Sequence, residues 1–151
     1  MPEVFVDTSA WVAVADRRER QHEATRASYV ENLKAGRRLV TTDLVLAEVH
    51  VLLRRRMGYE PAMGFLERVN GSVRVEVLFV TPDLEVAANV LLRQFSDQDF
   101  SLTDAVSFSV MRERGIETAM TLDSHFATAG FVVVPSLEPG PARRRLRPGA
   151  P

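Results

Sequence analysis

Short apolar runs alternate along this chain with stretches of helical periodicity. The segment 3–7 is brief and almost continuously apolar, the signature of a strand buried on both faces. Residues 8–15 follow as a helix capped by Thr8 or Asp7. Segment 19–35 carries Ala24, Ala27, Val30 and Leu33 at helical spacing and stops at Gly36; 38–41 is a second short strand. Thr42 caps a long helix reaching about Met57, where Gly58 ends it. Pro61, at a first-turn position, opens a helix through Val69, ended by Asn70-Gly71. Segment 73–80 is a β-branched strand. Thr81-Pro82-Asp83 supplies a cap, a first-position proline and a first-turn acid for a helix to about Phe95. Ser101 starts the next helix, which runs to Arg114-Gly115; then come a strand at 118–122, a short helix at 124–129 and a last strand at 131–134. Strands alternating with helices predict an α/β fold with a mainly parallel central sheet.

The 151 residues suit one domain, and a hydrophobic content of 46% suffices for a core. No apolar stretch is long enough for a transmembrane helix, and the N-terminus lacks the pattern of a secretion signal, so a cytoplasmic location with no membrane association is expected. Without cysteine, thiolate metal sites and disulfides are excluded. Charge is uneven. Residues 1–137 hold fifteen Lys and Arg against nineteen Asp and Glu, whereas 138–151 hold four Arg and one Glu. A domain over 1–137 and a disordered Pro/Arg-rich tail over 138–151 are therefore expected.

Four acids stand out from the polar surface. Asp7 closes the run Val4-Phe5-Val6, Asp123 follows Met120-Thr121-Leu122, Asp104 opens the helix of Leu102-Thr103-Asp104-Ala105, and Glu48 is alone within Leu44-Val45-Leu46-Ala47-Glu48-Val49. Sites in open α/β sheets form beyond the carboxyl ends of strands, where Asp7 and Asp123 fall. Each has a plainer explanation. Asp7 and Asp123 are favoured helix caps, and Ser101-Leu102-Thr103-Asp104 fits a capping box. Glu48 resists such an account: the apolar residues around it predict a helix buried on most sides, where a lone carboxylate needs a cation or hydrogen bonds. Four converging carboxylates would repel one another and hold a hard divalent cation.

Arg54-Arg55-Arg56 suits a helix C-terminus, Asp97 and Asp99 read as a solvated loop, and His22, His50 and His125 lack metal-ligand spacing and read as structural. Arg17, Arg18, Arg37 and Arg38 read as solvated.

Val6-Asp7-Thr8-Ser9-Ala10, Leu46-Ala47-Glu48-Val49, Leu102-Thr103-Asp104-Ala105 and Thr121-Leu122-Asp123-Ser124-His125-Phe126 together resemble, in this order, a PIN-domain ribonuclease, most closely the toxin of a VapBC-type toxin–antitoxin pair. The resemblance implies a three-layer α/β/α sandwich and magnesium-dependent endoribonuclease activity, with manganese able to substitute. It makes Asp7 and Asp104 direct metal ligands, Glu48 and Asp123 ligands directly or through water, and Thr8, Ser9 and Thr103 supporting hydroxyls. It also implies RNA as substrate and a cognate antitoxin, whose arginine could pair with the carboxylates, and it would let some of Arg54, Arg55 and Arg56 hold RNA phosphates or an antitoxin carboxylate. The apolar helix of residues 44–53 suggests a homodimer or antitoxin face. Two other readings compete. An aspartyl-nucleophile phosphatase would need a second Asp at position 9, where Ser9 stands. A catalytically idle RNA-binding or regulatory module would keep the fold without turnover.

Overall fold

The computed structural model describes residues 1–136; the expectation of a disordered tail over 138–151 falls outside the described residues. Five strands form one all-parallel sheet in the order β3-β2-β1-β4-β5: β1 Glu3–Val6, β2 Arg38–Thr42, β3 Val75–Leu78, β4 Thr118–Met120 and β5 Val132–Val134. The helices are α1 Thr8–Ala15, α2 His22–Lys34, α3 Asp43–Met57, α4 Tyr59–Gly71, α5 Pro82–Gln94, α6 Leu102–Arg114 and α7 Ser124–Thr128. They pack as two groups, α1 with α2 and α3 and α3 with α4, and separately α5 with α6 and α6 with α7. The three-layer expectation holds.

The strand order locates the site. From β1 the chain works outward to β2 and β3, then returns to lay β4 on the other side of β1. The switch point therefore lies between β1 and β4, where ligands bind at the carboxyl ends of a parallel sheet. Asp7 follows β1 there, and its amide donates to the Met120 carbonyl of β4 at 3.0 Å. Beneath, Phe5 and Phe126 stack at 6.1 Å between centroids, Phe108 meets Phe126 edge-on at 4.9 Å, and all three are almost fully buried. These rings make a rigid floor.

Local signals account for most element ends. The Thr42 hydroxyl accepts from the Val45 amide and the Thr81 hydroxyl from the Leu84 amide. Gly115 closes α6 in the left-handed region at φ 66°, which glycine adopts without steric cost. Two expectations needed correction. Helix α2 starts at His22 rather than near Glu19, because Asp16 pins the preceding loop by accepting from the Arg18 amide and from the guanidinium. Helix α3 is not buried on most sides. Val45, Leu46, Val49 and Leu53 face the core, whereas Ala47, Glu48 and Val51 are exposed. No helix among the described residues is long and apolar enough to cross a membrane.

Candidate metal centre and nuclease site

Asp7, Glu48, Asp104 and Asp123 all line one cleft of about 560 Å³ at the switch point, together with Thr8 and Ser9. Strand β1 delivers Asp7, and α1, which begins at the next residue, delivers Thr8 and Ser9. The middle of α3 brings Glu48, the first turn of α6 brings Asp104, and the turn after β4 brings Asp123.

Hydroxyls hold the carboxylates. Thr121 Oγ1 donates to Asp7 Oδ2 at 3.0 Å and accepts from the Asp123 amide at 2.9 Å, so one side chain ties two of the acids together. Ser9 Oγ lies 3.4 Å from the same Asp7 oxygen and 3.2 Å from Thr121 Oγ1, and it accepts from the Leu122 amide. Thr8 Oγ1 donates to Glu48 Oε2 at 2.9 Å. Thr103 is the exception. It is half-buried, makes no side-chain hydrogen bond among the described residues and is not among those lining the cleft; only its carbonyl is used, by Ser107.

The capping explanations divide unevenly. Asp104 does form the capping box: it accepts from the Ser101 amide at 3.1 Å while its own amide donates to Ser101 Oγ at 3.0 Å. Asp123 caps α7 by accepting from the His125 amide. Asp7 precedes α1 but makes no side-chain capping bond, so capping does not account for its carboxylate. Glu48 is exposed, so the burial that first singled it out does not exist; its place is set by the cleft and by Thr8.

Electrostatic strain concentrates on Asp7, only 4% exposed. Burial pushes its pKa up to about 6, while hydrogen bonds from the Thr8 amide and Thr121 hydroxyl pull it down and the charges of Asp104 and Asp123 add to the rise. Among the described residues no lysine or arginine pairs with any of the four acids. The basic side chain that does approach is His125, whose Nδ1 lies 2.9 Å from Asp104 Oδ2 and 3.4 Å from Asp123 Oδ2. Burial lowers the imidazole's pKa, but the Asp104 hydrogen bond and the charges of Asp123, Asp104 and Asp99 outweigh it and raise the pKa overall. One ligand atom from each of Asp104, Asp123 and His125 falls within 4.8 Å of the others. A donor set of carboxylates fits a hard divalent cation, and such a cation would neutralise the buried Asp7, which has no counter-ion among the described residues.

Several lining residues were not legible as site residues. His125 reads as structural in the sequence, yet it reaches the acids. Thr121, buried behind the lining, is found only through its hydrogen bonds with Asp7, Ser9 and the Asp123 amide. Asp99, read as a solvated loop residue, lines the cleft, as do Glu19, Ser101 and Arg56; Asp97 does not. Asp123-Ser124-His125 was the available signal, because a short helix after an acid folds the next side chain back over it. Arg56 belongs to the arginine cluster to which the resemblance gave a possible RNA role, but nothing local could have announced Glu19, which meets it across 37 residues.

The PIN domain family model matches residues 4–132. The chain is 36% identical over 132 residues to the 23S rRNA-specific endonuclease VapC20 of Mycobacterium tuberculosis (strain H37Rv), covering 87% of this chain and 97% of that protein. It is 26% identical over 139 residues to Ribonuclease VapC26 of the same organism, covering 87% and 100%. The crystal structure of Mycobacterium tuberculosis VapC20, a sarcin-ricin loop cleaving toxin, superposes with a TM-score of 0.79 at 35% identity, covering 85% of this chain and 96% of that one. VapBC2 from Rickettsia felis, bound to a promoter DNA fragment, shares the fold at a TM-score of 0.64 and 14% identity, covering 87% and 96%. The carboxylate cleft at the switch point, the matched family model and the relatives agree: the chain belongs to the PIN-domain family, as a ribonuclease of the VapC type.

Proposed function

We propose that this ribonuclease is the magnesium-dependent toxin of a toxin–antitoxin pair, that it acts in the cytoplasm, and that it cuts ribosomal RNA at a structured hairpin of the sarcin–ricin kind. The VapC20 likeness over most of the chain supports the substrate class. The observation that carries the site assignment is Asp7: a buried carboxylate, with two further acids near enough to raise its pKa, is costly unless a cation joins it.

In this reading Asp7 and Asp104 hold the ion directly, and Glu48 and Asp123 hold it directly or through water. Thr8, Ser9 and Thr103 are the supporting hydroxyls, with Thr8 fixing Glu48 and Ser9 fixing Asp7; Thr103 would act through its position beside Asp104. When bound, magnesium supplies Lewis-acid polarisation of the phosphate and a more acidic water, with manganese a substitute. Glu48 or Asp123 accepts the proton of the attacking water. The new bond is water oxygen to phosphorus and the bond to the 3′-oxygen breaks, leaving a 5′-phosphate and a 3′-hydroxyl.

The partner is an antitoxin that presents an arginine to the uncompensated carboxylates. A homodimer is the second association, through the outer face of α3, where Ala47, Val51 and Met57 are exposed. A monomer on size exclusion at micromolar concentration rules the dimer out.

The deciding experiment is cleavage of total ribosomal RNA and of a sarcin–ricin hairpin by the purified chain, with magnesium, with EDTA, and with Asp7→Asn. Discrete products that need both the metal and Asp7 are expected. No cleavage by a folded, antitoxin-free chain would return weight to the idle RNA-binding module.

A further inference from the structure

We propose that Arg56 is a substrate-binding residue for an RNA phosphate flanking the scissile one, and that Glu19 competes with that phosphate in the free protein. The proposal rests on the ribonuclease reading above and concerns the rim of the same cleft.

Six carboxylates line this cleft: the four central acids, Glu19 and Asp99. A polyanion entering it meets repulsion that a metal at the centre relieves only locally. Among the described lining residues Arg56 is the one arginine, and no lysine lines the cleft. Its neighbours do not share the role. The Arg54 guanidinium sits 5.0 Å over the Tyr59 ring, and Arg55 is not among the lining residues.

Arg56 is anchored by its backbone, while its side chain makes one partly exposed ion pair. Asp16, almost fully buried, takes two bonds from the Arg18 guanidinium at 3.0 and 3.1 Å. That guanidinium also donates to the Arg56 carbonyl at 3.0 Å, which ties the end of α3 to the loop after α1. The Arg56 side chain, 40% exposed, pairs with Glu19, 30% exposed. Two residues of one loop thus act on Arg56, one holding its carbonyl and the other its charge.

Position and strength fit phosphate exchange. Glu48 and Arg56 are eight residues apart on α3, about 12 Å along its axis, so Arg56 lies beside the central acids rather than among them. A pair this exposed contributes little, typically below about 1 kcal/mol. A phosphate offers a guanidinium two parallel bonds and more charge than one carboxylate, so RNA displaces Glu19 at small cost. The competing carboxylate leaves Arg56 oriented in the free protein while suppressing weak, unproductive anions.

The test uses the full chain and a fluorescently labelled sarcin–ricin hairpin RNA. Binding is followed by anisotropy over a salt series, with calcium replacing magnesium to separate binding from turnover, and cleavage with magnesium is run in parallel. Arg56→Ala is expected to weaken binding about five- to tenfold and to lower the log–log salt slope by about one, with the loss in cleavage appearing mainly in KM. Arg56→Lys should restore the slope, since it keeps the charge, and part of the affinity. Glu19→Gln should tighten binding about two- to fivefold by freeing Arg56. In the Arg56→Ala background the Glu19→Gln gain should shrink to the small part owed to general repulsion, since the rest runs through Arg56. Unchanged binding and slope in Arg56→Ala overturn the proposal, as does a Glu19→Gln effect that is undiminished without Arg56, or an RNA that does not bind the wild-type chain. Absence of cleavage alongside the expected binding pattern would instead count against the ribonuclease reading and leave Arg56 as an RNA contact.

Discussion

The two ends of the central sheet handle charge in opposite ways. At the amino end Glu3, the first residue of β1, and Glu76 of β3 share Arg114, and Glu76 also meets Arg38 of β2. Every acid in that group has a guanidinium, and hydrogen bonding from Arg114 holds the Glu76 carboxyl below its ordinary pKa. At the carboxyl end of the same strand Asp7 is more deeply buried, has acids for neighbours and has its pKa raised to about 6. One end is a structural ion network; the other is a charge arrangement that folding alone would not favour. That uncompensated charge at a switch point is the observation on which the proposed metal site rests.

The largest test of this contrast is activity. Asp104→Asn and Glu48→Gln are each expected to lower cleavage of the hairpin RNA by about 10²–10⁴-fold, whereas Glu3→Gln, at the other end, should leave the initial rate as in the wild type. Equal losses at both ends would break the comparison.

Stability should move the other way, and with opposite pH dependence. Asp7 has a folded pKa above its unfolded value, so its favourable contribution is present below about 3.8 and lost as pH rises through about 6. Metal-free Asp7→Asn should therefore be more stable than the wild type at pH 7, by roughly 3 kcal/mol at most. The gap should narrow in thermal melts as pH falls towards 4.5, and added magnesium should stabilise the wild type far more than the variant. A metal-free variant less stable than the wild type at pH 7 would contradict the burial argument.

Ser101→Ala removes half of the capping box that presents Asp104, and should cost about 1 kcal/mol in denaturant unfolding. The smallest effect belongs to the paired end. Glu76→Gln should cost about 0.2–1 kcal/mol at pH 7 and less at high salt. Glu76 has a lowered pKa, so its contribution is present above its unfolded value of 4.5 and is lost on acidification, the reverse of Asp7. A Glu76→Gln effect that grew as pH fell would show that its pairing is misread.

How legible the site was depended on what each residue's neighbours were. Asp7 and Asp123 could be seen because a strand end followed by a helix start has a known place in a parallel sheet. Asp104 announced its helix start, and the structure shows capping and site placement to be compatible. Glu48 reached the right cleft by a wrong argument. Its apolar context predicted burial, but α3 leaves Ala47 and Val51 exposed, and a Glu between them lies at the surface. His125, Thr121 and Glu19 were silent, since their roles arise from contacts between residues far apart in sequence, such as the 114 positions between Thr121 and Asp7.

By itself the sequence determined the alternation of strands and helices and most of their ends, and it singled out the four acids that the fold brings to one cleft. Those depend on periodicity, caps and turn residues, which act over a few positions. The tertiary structure alone decided which charges meet. Strand order β3-β2-β1-β4-β5 brings β4 beside β1 and joins Asp7 to Thr121 and Asp123. Among the described residues the same packing leaves the four central acids at one end of the sheet without guanidinium partners and gives those at the other end Arg114. Coulomb energies depend on distance through space and on burial, and neither can be read along the chain.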